Sequence, residues 1–397
     1  LEELVIYRVL QGFASAPLLP VAQSIMLDTY PKERHGFAMS IWSMGMILGP
    51  VAAPTLGAFL TEEYGWRYIF SMNIPLGMLA FVGIWAVLPR SESEHSPVDW
   101  LGIGSLIIGV SCLQLMLDRG ERLGWFSSPE IVIEAALAAL CLYVFVAHCL
   151  TARNPYINLA MFRDRNFVIG LLLIFVFGIA VFASLFIVPL FLQNVQDYPV
   201  MTAGWIVSAR GLGTMIAMLS GGYLADRFSG KYLILTGLLM VGFSNAWMTT
   251  WTADVSTAEV VWNTIVNGFG MGVMWVSLAT VTFSTLDPRF RVEGASLFAL
   301  VRSIGASMGT SAVVAMLTRS SQTNYVELRE RITPFSEAFL GLGQVPWALD
   351  TATGLSALRG LVATEARMIA YVNDFVLLVI VVLVPLPLVF LLRSSKR

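Results

Sequence analysis

Runs of about 20 apolar residues, separated by short polar stretches, recur along the whole chain, and such a run leaves few ways to fold. At 1.5 Å per residue it crosses a hydrocarbon core of about 30 Å as a helix, and it is about twice as long as a barrel strand needs to be. Composition agrees: the 397 residues are 57% hydrophobic and 13% charged, with a mean hydropathy of +0.75, whereas soluble domains carry about 25% charged residues. The sequence therefore predicts an all-α integral membrane protein. Its spans fall near 4–27, 36–60, 67–88, 101–118, 131–152, 167–192, 201–225, 232–252, 260–285, 293–317 and 370–392.

Several function classes drop out. The net charge of -2 carries no basic patch that calls for nucleic acid, because in a membrane chain the distribution of charge matters and its sum does not. Cys112, Cys141 and Cys149 fall in apolar runs, where they read as packing residues with neither disulfide nor zinc spacing. His35, His95 and His148 lie on separate segments, and no HExxH or catalytic cluster appears, so an enzyme is not expected. No GxxxxGK[ST] occurs either, which leaves an ion gradient as the energy source of any pump.

Lysine and arginine set the orientation. They alternate between richer and poorer connections, with thirteen in one set of loops plus the tail and three in the short loops opposite. The richer set, with Arg393, Lys396 and Arg397, puts the C-terminus in the cytoplasm. The polar segment 318–369 then lies on the outer side, either as a solvated loop or as an interaction surface built on the amphipathic stretch VELRERITPFSEAF.

An internal repeat divides the chain. Gln11-Gly12-Phe13, followed by Pro31-Lys32-Glu33-Arg34, is echoed by Asn267-Gly268-Phe269 and Pro288-Arg289-Phe290-Arg291. Each copy leads into glycines four apart, Gly45 and Gly49 in one and Gly305 and Gly309 in the other. The copies sit eight spans apart, so two six-span halves need two spans between them, and the first half lacks three. The expectation is eleven visible spans of fourteen, arranged 6+2+6. Residues 1–90 hold the last three spans of the N-terminal half, 91–155 two linker spans, and 156–397 the C-terminal half with the outer segment 318–369. On this count the sequence is truncated at its N-terminus.

Further motifs carry a resemblance. These are Arg8-Val9-Leu10-Gln11-Gly12, Gly45-Met46-Ile47-Leu48-Gly49-Pro50 continued by Pro54 and Gly57, Trp66-Arg67-Tyr68-Ile69-Phe70, and Gly222-Tyr223-Leu224-Ala225-Asp226-Arg227. With them the chain resembles the fourteen-span drug:proton antiporters of the major facilitator superfamily, of the EmrB/QacA type and nearest its EmrB branch. Ala53 and Ala58 stand where that family often has glycine.

The resemblance implies a major facilitator fold and proton-coupled efflux of amphiphilic small molecules by alternating access, with a proton gradient and no cofactor. It also implies a bacterial inner membrane, a periplasmic membrane-fusion adaptor and an outer-membrane channel. A dedicated exporter of a metabolite or siderophore is the alternative. A passive channel or an intramembrane enzyme is the alternative of a different class.

Candidate residues follow. An intramembrane arginine costs roughly 2.5 to 3.5 kcal/mol and is kept where a partner or a watered cavity compensates it. Arg8 with Gln11, Arg210 and Arg302 are therefore the proton-coupling and cavity candidates. Snorkelling remains open for Arg8, and a helix-packing role remains open for the other two. Gly45, Gly49, Pro50, Pro54 and Gly57 form the antiporter motif, read as a gate or as close packing. Gly222, Asp226 and Arg227 are read as a cytoplasmic latch or as a simple topogenic loop. Phe182, Phe186 and Gln193 are the substrate-contact candidates, against lipid-facing or core packing. Asp118 and Arg119 read as structural, and no metal site is expected.

Overall fold

A span in lipid has to satisfy its own backbone hydrogen bonds, so the apolar runs become helices, and short polar residues fix where they start. Asp99 accepts from the Gly102 N–H at 2.8 Å and Asp164 from the Phe167 N–H at 2.8 Å, and Thr351 accepts from the Gly354 N–H at 3.1 Å. The computed structural model describes residues 2–31, 34–87, 99–152, 155–331 and 351–393. Its helices are α1 (Glu2–Ser15), α2 (Leu18–Thr29), α3 (His35–Glu63), α4 (Tyr68–Ser71), α5 (Asn73–Val87), α6 (Trp100–Leu123), α7 (Pro129–Thr151) and α8 (Arg165–Asn194). They continue as α9 (Val200–Arg227), α10 (Gly230–Met248), α11 (Thr257–Ser284), α12 (Arg291–Arg331), α13 (Ala352–Leu383) and α14 (Leu386–Phe390).

All eleven apolar runs are helical, with α1 and α2, α4 and α5, and α13 and α14 each making one column, and no strand occurs among the described residues. Among the described residues, nine of these columns are long and apolar enough to cross a membrane. Helix α3 packs on α9 and α11, and α10 packs on α11 and α13.

Helices α8 to α13 form one bundle. In it α9 and α10 pack on α11, α8 packs on α11, α12 and α13, and α12 packs on α13. The α6–α7 hairpin leans on α12, where Ser307 donates to Asp118 at 3.0 Å and Ser311 donates to the Leu117 carbonyl at 2.6 Å. Arg119 closes the hairpin through Glu130 at 2.5 Å and Glu134 at 3.3 Å. Asp99, beyond the helix cap, also meets the Tyr156 N–H and His148 Nε2, both at 2.9 Å. Its carboxyl is held below the usual aspartate range, chiefly by the Gly102 N–H.

The outer segment departs from its expected form. The stretch 318–331 is not a loop but continues α12, and 352–369 opens α13, while 332–350 lies outside the described residues. No glycine or proline interrupts 310–331, so nothing in that polar sequence ends the helix. At 41 residues α12 reaches about 60 Å, roughly twice the hydrocarbon thickness, so the ends of α12 and α13 project together beyond it. They are tied by Asn324 to the Ala366 carbonyl at 3.5 Å.

Lipid supplies no hydrophobic force between helices, so close crossings need small residues. At the crossing of α9 and α11, a Cβ on Gly213 collides with the Ile265 carbonyl oxygen and one on Gly268 with that of Arg210. At the crossing of α8 and α12, a Cβ on Gly178 collides with the Arg302 carbonyl oxygen and one on Gly305 with that of Phe175.

Two outcomes are expected. Gly268→Ala destabilises by about 1 to 3 kcal/mol, read as a lower unfolding midpoint in detergent; Gly104→Ala, where the added Cβ meets open space, leaves the midpoint unchanged. The stability from Asp99 is present in full above the ordinary value of 3.8 and is lost as pH falls through the lower folded-state value. Asp99→Ala at neutral pH should therefore lower the protection factors of the amides across 99–103, each exchange rate being referred to its intrinsic rate at that pH.

Candidate functional site

The glycine crossings place two arginines against one space. A cavity of about 390 Å³ opens between α2, α3, α8, α9, α11 and α12. Its walls are apolar and aromatic, with Leu19, Met46, Phe177, Val181, Phe182, Leu185, Met271 and Trp275, and its polar groups are Ser208, Thr214, Arg210 and Arg302. Among the described residues no carboxylate lines it.

Arg210 is 7% exposed. Its Nη2 donates to Ser184 Oγ at 2.8 Å, while Nε and Nη1 have no partner among the described residues. Arg302 is half-buried, with its guanidinium over the Trp275 ring at 5.7 Å from the centroid, a cation–π geometry. Two positive groups in apolar walls without an acidic partner make a space that favours an anionic, apolar guest.

Trp275 organises one side of the cavity. It stacks on Trp42 of α3 at 6.2 Å, meets Phe177 of α8 at 5.2 Å, and donates from Nε1 to Ser43 Oγ at 2.9 Å. One turn beyond it, Leu27 of α2, Met39 of α3 and Ala279 of α11 form an apolar cluster with Trp42. Beyond that, at the helix ends, Arg291 of α12 pairs with Asp28 of α2 at 2.9 Å. An aromatic stack, an apolar plug and an ion pair thus close one end of the cavity, and all three join α2 and α3 to the C-terminal bundle.

The sequence-predicted residues divide. Arg210, Arg302 and Phe182 line the cavity. Phe186, 40% exposed, and Gln193, near the end of α8, do not. Arg8 and Gln11 are exposed on α1, with Arg8 donating to Gln11 Oε1 at 3.0 Å and lying over Phe70 at 4.8 Å, and neither lines the cavity. Gly45, Gly49 and Gly57 have no neighbouring atom within reach of a Cβ, and α3 runs unbroken through Pro50 and Pro54, whose side chains lie outside the described residues. The side chains of Gly222 and Asp226 are likewise outside them, and Arg227 is exposed at the end of α9.

Sequence reasoning named Met46 only as part of the antiporter motif and did not reach Trp42, Ser43, Trp275 or the Asp28–Arg291 pair. The repeat offered a signal for the last, since its two basic clusters at 31–34 and 288–291 flank the ends that meet. Among the described residues, no group of three or more His, Cys, Asp or Glu is placed to hold a metal ion.

Comparison with known proteins follows this geometry. Residues 1–310 match the family model described as Major Facilitator Superfamily. The multidrug export protein EmrB of Haemophilus influenzae is 32% identical over 339 residues, 85% of this chain and 66% of that protein. The EmrB of Escherichia coli K12 is 31% identical over the same shares, and the fatty acid resistance protein FarB of Neisseria gonorrhoeae is 30% identical over 85% of this chain and 67% of its own. The chain thus spans 66% of the length of the EmrB relatives it matches. In fold it is similar to a bacterial homologue of the human lysosomal transporter Spinster, solved inward-facing and occupied, at a TM-score of 0.50 and 18% identity over 93% of this chain and 72% of that one.

If the ion pair is part of a closure, Asp28→Asn should open that end. In a cysteine-free background, the rate at which a thiol reagent added on the side of Arg291 labels Met46→Cys is expected to rise several-fold. An unchanged rate removes the pair from the closure.

Proposed function

The chain belongs to the Major Facilitator Superfamily, and from that footing we propose that it exports amphiphilic, structurally varied compounds across a bacterial inner membrane in exchange for protons. The observation that carries this reading is the cavity: apolar and aromatic walls large enough for a small guest, two arginines and no carboxylate. Apolar walls accept varied shapes, and a few fixed polar groups orient what enters. The charge favours amphiphiles with an anionic head. That relatives are named for multidrug export and for fatty acid resistance supports the same class.

Transport proceeds by alternating access. The aromatic, apolar and ionic layers close one end of the cavity; their separation, as the N-terminal helices rock against the bundle, opens it. The lysine and arginine distribution supports assigning that end, and the C-terminus with it, to the cytoplasmic side. Arg210, with two of its three nitrogens unpartnered, receives the anionic head. In this reading the proton gradient supplies the energy. We assign the projecting ends of α12 and α13 to contact with a periplasmic adaptor that feeds an outer-membrane channel.

Two measurements test this. In everted vesicles, uphill accumulation of radiolabelled decanesulfonate should collapse when a protonophore is added; accumulation that persists excludes proton coupling. In detergent, tetraphenylborate should bind the purified protein about tenfold more tightly than its isostere tetraphenylphosphonium, about 1.4 kcal/mol. Arg210→Gln should erase most of that gap, and equal affinities in the unaltered protein would rule out the anion-selective cavity.

A further inference from the structure

One buried carboxyl takes no part in the cavity, the closure or a helix cap. Asp374 lies on α13, within a column long and apolar enough to cross a membrane, and is fully buried with no hydrogen-bond partner on either oxygen among the described residues. Asp28, Asp118 and Glu134 each have a partner: Arg291, Ser307 and Arg119. An ionised carboxylate without a donor is unstable in such surroundings, and acids placed this way in membrane helices serve proton movement more often than packing.

Among the described residues no charge nearby offsets it. Beyond Arg165, α8 carries no ionisable side chain, and on α10 the ionisable groups are Lys231 and Tyr232 at its opposite end, where Lys231 donates to the Phe390 carbonyl. On α12, antiparallel to α13, Arg319 comes closest in level and is exposed. The ionisable groups of α13 itself on this side are Tyr371, one turn away, and Arg367, one turn further.

Those two begin a route. Exposed Arg367 donates to the Asn194 carbonyl at 3.3 Å, and Asn194 Nδ2 donates to the Tyr371 hydroxyl at 3.2 Å. Asp374 follows on the same helix face, so this line of polar groups from the end of α8 stops at Tyr371, one turn short of the buried carboxyl. A donor also waits in the surrounding cluster. The buried Trp251 Nε1–H has no acceptor, and its ring packs on Phe375 at 5.6 Å and on Phe191 at 5.5 Å.

We propose that Asp374 is a proton-carrying carboxyl of the transport cycle, protonated in this conformation and exchanging its proton with water that reaches it from the side of Tyr371, Asn194 and Arg367. Loading forms one O–H bond on the carboxylate from a proton of outer water; release breaks that bond and returns the proton to water. Nothing is oxidised or reduced. The assignment rests on the proton-coupled reading above.

The test uses the intact gene product in proteoliposomes with radiolabelled decanesulfonate. Asp374→Asn should lose about tenfold or more of accumulation driven by a pH gradient and keep decanesulfonate counterflow, which needs no gradient. Its acid-minus-alkaline infrared difference spectrum should lack a protonated-carboxyl band that the unaltered protein shows. Asp374→Glu should recover accumulation with a displaced pH profile.

Gradient-driven accumulation by Asp374→Asn at the unaltered level, or an unchanged infrared band, overturns the assignment while proton-coupled export stands. Counterflow without any gradient-driven accumulation in the unaltered protein overturns the coupling reading and this assignment together. Loss of counterflow in both variants gives Asp374 a structural role and overturns the proposal.

Discussion

The close approach of helix backbones at two glycine crossings is the constraint on which the rest depends. At one crossing Gly268 lies under the carbonyl of Arg210, and at the other Gly178 lies under that of Arg302. Each cavity arginine is therefore seated on a backbone that lies too close to a glycine of the facing helix for any side chain to fit there. Thr214 reinforces the first seat by donating to both the Arg210 and Gly268 carbonyls at 3.0 Å. In a membrane, where apolar burial does not drive helix association, this packing is what turns two costly cations into a defined site.

The cavity and its closure share one side chain. Trp275 lies beneath the Arg302 guanidinium, and the same ring stacks on Trp42 and bonds Ser43. A guest that draws Arg302 away from the ring changes a surface that also holds α3, so occupation of the cavity and separation of the halves act on the same contact. The Asp28–Arg291 pair, at the helix ends, adds a charge contact that water reaches first, because Asp28 is largely exposed. The order from cavity to helix end is aromatic, apolar, ionic, which is the order in which water access increases.

Much of this was legible in the sequence. The eleven apolar runs fixed the helices, and the penalty on intramembrane cations singled out Arg210 and Arg302, both of which line the cavity. The rest depends on contacts between distant residues. Asp28 and Arg291 are 263 positions apart and Ser43 and Trp275 are 232 apart, and no local pattern pairs them. Helical continuation through 318–331 was hidden because a polar stretch without glycine or proline reads equally as loop or as solvated helix. Asp374 was visible as an acid inside NDFVLLVIVV, but whether such an acid is paired is decided by neighbouring helices and not by its own segment.

Helix α8 touches both polar sites. Its Ser184 holds Arg210 at the cavity, and ten residues on, about 15 Å along the axis, its Asn194 bonds Tyr371 beside Asp374. Between them lies Pro189, inside the helix, where the missing N–H removes one backbone bond and lets the two ends of α8 change angle at small cost. Phe191, just past that proline, packs against Tyr371 and Phe375 on either side of Asp374 in sequence. A guest that takes the Arg210 guanidinium from Ser184 frees the lower part of α8, and a proton that changes the charge on Asp374 acts on the upper part. The covalent continuity of one helix, bent at one proline, is thus a sufficient path for each site to sense the other without a chain of charged residues between them.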